Sequence, residues 1–288
     1  MSENTKSTAI APRVIVVVAL MSEARPLIDF YRLKKSCDAP FTVFSAADCY
    51  VQVVICGMGA ISAATAVGYM SERSGVHDKA WLNIGIAGHR FYDVGTSVRV
   101  LSHRLEGSAR KQFVSQAVAW RGSVAELITL GEVSSHYPDT ELIDMEGNGF
   151  FAAATHFNSS ELIQSIKVVS DNAEYSAENL NAQAISNLVL GAREEIVGFI
   201  ERLSDFVAVP IALDEWESLI EWPMSHSQRQ IVGQGMLAAR ALNLNEKAFE
   251  IMGLSNDFNE LSMRMNKLLA SYSPELMKAP DSLAAPAK

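Results

Sequence analysis

The sequence predicts an α/β protein, with a central sheet flanked by helices and a helical C-terminal appendage. Three observations carry this. Short β-branched apolar runs without alternation recur along the first two thirds of the chain, the pattern of strands buried on both faces. Segments with helical spacing lie between them, and glycines follow several of the runs, as in strand–loop–helix units. Beyond residue 205 helical periodicity continues but the strand-like runs stop.

The first strand is Val14-Ile15-Val16-Val17-Val18, and Ser22-Glu23-Ala24-Arg25-Pro26 then starts a helix, with Ser22 as cap and an acid in the first turn. Val51–Ile55 is a second strand, followed by Gly57-Met58-Gly59 and a helix over Ala60 to Glu72. Trp81–Ile84, Ser97–Leu101, Leu127–Leu130 and Ile166–Ser170 read as further strands. Met145–His156 reads as a helix and Ala184–Leu203 as a long amphipathic one. Asp205 to Pro210 reads as a linker, although "FVAVPIA" also fits a short strand. The expected units are a domain over 13–204 and a helical extension over 205–278, with 1–12 and 279–288 disordered. Trp216, Trp222 and the run from His226 to Gln230 form either a packing cap or a partner surface.

The bulk numbers narrow the function. The chain has 288 residues, 49% hydrophobic and 20% charged, enough for a large core. Asp and Glu outnumber Lys and Arg by 33 to 24, and a net charge of -9 argues against nucleic-acid or anionic-membrane binding while leaving room for a small ligand. Cys37, Cys49 and Cys56 show no CxxC spacing, so no metal site is expected and a reducing compartment fits. Val14–Met21 is too short to span a membrane and has no cleavage signature, so a cytoplasmic protein without a signal peptide is expected.

Several residues carry two readings. Gly57-x-Gly59 is either a backbone-amide nest for a ligand or a tight turn that lets a helix pack closely, and Gly85-x-x-Gly88 reads the same two ways. Neither has the third glycine of a dinucleotide fingerprint, and no phosphate-loop motif or GxSxG elbow is present. Glu23 is a dipole-favoured acid or a site residue, and Asp171 after Ser170 is a turn cap or a site residue. Glu146 is an exposed helix acid or, if Met145 and Phe150 mark a buried helix, a paired or functional one. Asp144 reads as an N-terminal cap. His103, His136 and His156 lack metal-ligand spacing and read mostly as surface or half-buried residues.

Four segments in order, "VVVALMSEARPL", "VVICGMGAISAATA", "WLNIGIAG…DVG" and "DMEGNGFFAAATHF" with "IKVVSDNAE", resemble the purine nucleoside phosphorylase superfamily. Within it they are most similar to the 5'-methylthioadenosine/S-adenosylhomocysteine nucleosidases, over residues 14–203. The resemblance implies a mixed sheet and cleavage of the N-ribosyl bond of a purine nucleoside without a cofactor. It implies Asp171 as the acid for the leaving base and Ser170 as its orienter. Glu146 would accept the ribose hydroxyls, Met145 would pack on the sugar, and Glu23 would position or deprotonate water. The Gly57, Gly59 and Gly85 loops would border the nucleophile. Asn83 and Ile86 stand where the family's phosphorylases place Arg and Ser, which favours water over phosphate, with Arg90 and Arg99 as remaining candidates for phosphate. The alternatives are a phosphorylase and a non-catalytic nucleoside-binding relative. The chain departs from the family in three places: Thr96 replaces Asp after Val94-Gly95, Lys167 replaces a common Arg, and the base wall between Gly95 and Glu146 is short. Ser134, Ser135, His136 and Tyr137 are the substitutes for that wall. The family's dimers complete each other's sites, so a homodimer is implied.

Overall fold

The computed structural model describes residues 13–47, 49–74, 79–134, 136–177, 180–208, 219–220, 222–241 and 244–272. The expected disordered ends, Ser135 and Trp216 lie outside these residues. The chain divides into two compact units between residues 209 and 210.

The first unit is built on one mixed sheet. Strand β1 (Val14–Val18) runs parallel to β4 (Val51–Ile55) on one side and to β5 (Ala80–Gly88) on the other. Every residue of β1 is buried, as its lack of alternation requires. Beyond β4 lie β3 (Thr42–Ser45) and β2 (Lys34–Cys37), both antiparallel. On the far side β5 pairs parallel with β10 (Ile163–Asp171), and β10 pairs antiparallel with β6 (Ser97–Leu105). Strand β6 runs parallel to β8 (Ser123–Thr129), β8 to β9 (Glu141–Asp144), and β9 returns to β5 through Gly88 and Ile143. These five strands therefore close a ring, and β1, β4, β3 and β2 extend from it as an open wing. Strand β7 (Lys111–Phe113) pairs only with β6. Because β1, β4, β5 and β10 are parallel, their carboxyl ends share one edge, where ligands of open α/β sheets sit.

Helices follow that edge. Helix α1 (Met21–Phe30) is preceded by Leu20 as its N-cap rather than by Ser22, which lies inside the helix. Helix α2 (Ala60–Ser74) follows β4, and α3 (Gly147–Ala154) follows β9. These two helices touch where a Cβ at Gly149 would lie 2.0 Å from the Ala60 carbonyl oxygen, so only glycine permits the crossing. The expected helix over Ala184–Leu203 is two helices, α4 (Ala182–Gly191) and α5 (Arg193–Ala208). Gly191 is a poor interior helix residue, and Glu194 and Glu195 favour a new N-terminus. Since α5 runs through Ala208, Asp205–Ala208 are helical rather than a linker or strand.

The second unit contains α6 (His226–Ala241), α7 (Asn245–Gly253) and α8 (Phe258–Tyr272), with no strand among its described residues. Val232, Met236, Ala248, Met252, Leu261 and Met265 form its core. Trp222 packs against that core and donates its indole N–H to Ser255 O at 3.1 Å. Among the described residues no helix is long and apolar enough to cross a membrane.

Candidate active site

A cavity of about 310 Å³ opens at the carboxyl edge of the sheet, and Glu23, Met145, Glu146, Ser170 and Asp171 all line it. Glu23 comes from the first turn of α1, Met145 and Glu146 from the loop between β9 and α3, and Ser170 and Asp171 from the end of β10. The size falls within the range of small-molecule sites.

Glu23 sits in the first turn of α1 and is only 2% exposed. Its Oε2 accepts the amides of Ala19 (2.9 Å) and Leu20 (2.8 Å), and its Oε1 accepts that of Ile86 (3.0 Å). A carboxylate offers about four acceptor directions, so one remains on Oε1. Burial pushes the Glu23 carboxyl above its ordinary value, against the pull of the amides and of Lys167.

Glu146 is the N-cap of α3 and is 8% exposed. Its Oε1 accepts the Gly59 amide at 2.7 Å. Gly57 and Gly59 have φ of +81° and +98°, the left-handed region that favours glycine. The loop is thus a tight turn, and its Gly59 amide serves a carboxylate of the chain itself. Burial pushes Glu146 up to about 7, with Lys167 and the Gly59 amide opposing and Asp144 and Glu23 adding to it.

Behind the cavity lies the reason these acids are tolerated. Lys167, on β10 and 1% exposed, places Nζ 2.8 Å from Asp144 Oδ2. Asp144 also accepts Thr129 Oγ1 (2.7 Å) and the Gly147 amide (2.8 Å), so it serves the start of α3 as well as the lysine. Burial alone would raise Asp144, but Lys167 and Thr129 hold it below its ordinary value. Burial alone would lower Lys167, but Asp144, Glu146 and Glu23 hold it above. One cation thus faces three buried carboxylates. It holds one below its ordinary value and leaves the other two raised. Gly85 faces this group, since a Cβ there would lie 3.1 Å from Glu23 Oε1 and 3.3 Å from Lys167 Nζ.

His103, read from sequence as an ordinary surface or half-buried residue, is fully buried. It stacks on Phe151 and bonds Ser165 Oγ at 3.1 Å. Burial pushes it down to about 3, so it stays neutral beside the ion pair.

Asp171 lines the same cavity. The β10–β5 register shifts between Val169 and Asp171, and a bulge of this kind re-aims side chains. Ser170 Oγ donates to Asp171 Oδ1, and Tyr137 OH donates to Oδ2 at 2.7 Å. Tyr137 itself, with His136 and Arg90, lines a separate cleft of about 390 Å³. His136 is exposed and does not reach the main cavity, a correction to its reading as a base-wall residue. The candidate phosphate ligands fail on position. Arg99 is buried and spends its guanidinium on Val118 O, Ser115 O and Gln164 Oε1, while Arg90 pairs with Asp139.

The fold, a ring of mixed strands with an open wing, is nucleoside phosphorylase-like and similar to that of several solved structures. Similar solved structures include the 5'-methylthioadenosine nucleosidase of Arabidopsis thaliana, with a TM-score of 0.55 at 14% identity, covering 69% of this chain and 97% of that one. The 5'-methylthioadenosine/S-adenosylhomocysteine nucleosidase of Campylobacter jejuni gives 0.55 at 13%, covering 66% and 99%. The futalosine hydrolase of Helicobacter pylori gives 0.54 at 11%, covering 68% and 98%. At these identities the likeness is one of fold. No family model and no curated protein matches the sequence.

Proposed function

We propose that the protein is a nucleosidase that hydrolyses the N-ribosyl bond of a purine nucleoside, with 5'-modified nucleosides as the leading class. The observation that carries this is one cavity lined by the raised, buried carboxyls of Glu23 and Glu146 together with Asp171. Breaking an N-ribosyl bond builds positive charge on the sugar and negative charge on the base, and separate carboxyl groups serve those two charges. Asp171 gives a proton to the departing base. Glu23 accepts a proton from water through its spare Oε1 direction as the water oxygen bonds to the anomeric carbon. Glu146 accepts the ribose hydroxyls, and Met145, half-buried on the cavity wall, packs on the sugar. Two of the solved structures of similar fold are named nucleosidases and a third a futalosine hydrolase, which favours the same chemistry. Water is favoured over phosphate because Arg90 and Arg99 are committed elsewhere, and a phosphate nucleophile needs cationic donors.

The same reading carries a homodimer. Met58 and Val133 stand on the cavity wall at 64% and 77% exposure, with Ile61 nearby in sequence at 85%, apolar surface that a second copy would cover. Sedimentation of a monomer at micromolar concentration would remove it.

Base release is measured by chromatography with 5'-methylthioadenosine, S-adenosylhomocysteine, 5'-deoxyadenosine, futalosine, inosine and uridine, with and without phosphate. The reading expects free base from a purine substrate in phosphate-free buffer. Release that requires phosphate assigns a phosphorylase, and no release from any substrate assigns a binding role.

A further inference from the structure

Tyr137 stands outside the main cavity, yet its hydroxyl is a direct partner of a carboxylate inside it. We propose that Tyr137 is a positioning residue for Asp171, holding the carboxyl that delivers the proton to the leaving base. The proposal rests on the nucleosidase reading and goes one step past it.

Four features of the structure converge on this contact. The phenol is buried at 9% exposure, and its hydroxyl meets Asp171 Oδ2 at 2.7 Å while Ser170 takes Oδ1. Both carboxyl oxygens are therefore held and the side chain has one orientation. Gly88, opposite Asp171 in the β5–β10 pairing, has no room for a side chain. A Cβ there would lie 2.7 Å from Tyr137 Cε1 and 2.8 Å from Asp171 Oδ2. The space a larger residue would fill is the space the phenol uses to reach the acid. The segment carrying Tyr137 is also fastened beyond it, by Arg90 to Asp139 and by the His89 ring to the Thr140 backbone. His89 closes the link, because its own amide donates to Asp171 O at 3.0 Å and its Nδ1 accepts the amides of Phe91 and Tyr92.

The contact has a chemical use. Burial and the neighbouring carboxylate push the Tyr137 phenol far above its ordinary value, so it remains a donor throughout the working range. When Asp171 gives its proton to the base, it becomes the carboxylate that the phenol stabilises. The hydrogen bond strengthens as the N-ribosyl bond breaks, which makes it a transition-state interaction rather than a binding one. Tyr137 touches the acid rather than the substrate, and so it acts through Asp171.

Tyr137→Phe removes one oxygen and keeps the ring. The expected result is a loss in kcat of about 10- to 100-fold with KM within about two-fold. Independently of turnover, the carbon-13 resonance of the Asp171 carboxyl, assigned with Asp171→Asn, shifts between wild type and Tyr137→Phe. A variant with wild-type kcat and an unmoved resonance overturns the proposal. A shifted resonance in a protein that releases no base supports the contact and overturns the nucleosidase reading instead.

Discussion

Replacing Glu146 with Gln is expected to stabilise the protein and stop its chemistry together. The amide keeps an oxygen for the Gly59 N–H, now 2.7 Å from Glu146 Oε1, and removes the charge. Burial holds the folded carboxyl at about 7, above its ordinary 4.5. Between those values the folded protein binds more protons than the unfolded chain, so stability falls as pH rises through that window. A gap of that size amounts to about 3 kcal/mol at full ionisation. The Gln variant cannot titrate there and escapes this loss. Urea unfolding of both proteins near pH 5 and near pH 8 reads the effect. The variant's advantage should grow by about 2–3 kcal/mol between the two. An advantage that stays constant with pH, or a variant less stable near pH 8, would show that Lys167 already neutralises the cost and would refute the reasoning. The gain at the expense of activity is the usual signature of a strained functional group.

Three further outcomes follow from the same cluster and its frame. Lys167→Met leaves Asp144 buried without its counter-charge and should cost about 3–5 kcal/mol in urea unfolding, while Lys167→Arg should cost clearly less. Gly149→Ala places a methyl 2.0 Å from the Ala60 carbonyl oxygen, and should lower stability by about 1–3 kcal/mol, read as a lower Tm. Base release should fall as pH drops through about 7, where Glu146 takes up a proton and stops accepting; a kcat/KM profile flat from pH 5 to pH 8 would contradict this.

The central strands were legible because they are buried on both faces, and a run such as Val14–Val18 has few other uses. The wing and rim were not. Lys34–Cys37 is largely exposed, so its side chains carry little apolar signal, and Glu141–Asp144 reads as an approach to a helix until its pairing with β8 is seen. The boundary between α4 and α5 turns on Gly191, whose signal is weaker than the periodicity around it. Within the site, Glu23 and Asp171 were singled out as acids following strands and Glu146 as an acid at a helix start, with their roles implied by the resemblance. The Asp144–Lys167 pair behind them was missed, although a lysine inside "IQSIKVVSD", a strand buried at every position, was the available signal, since such a residue needs a partner. The partner was hidden because β9 and β10 are joined only through the ring of strands. Tyr137 was singled out for the base wall. Its actual contact with Asp171 depends on the absent side chain of Gly88, which no local pattern announces.

The central claim is that Asp171, Glu23 and Glu146 act together in one cavity to break an N-ribosyl bond. Its most direct test is the initial rate of adenine release from 5'-methylthioadenosine in phosphate-free buffer by wild type, Asp171→Asn and Glu23→Gln. The account predicts release by the wild type and a loss of about 10²- to 10⁴-fold in each variant. Wild-type rates in Asp171→Asn would contradict it.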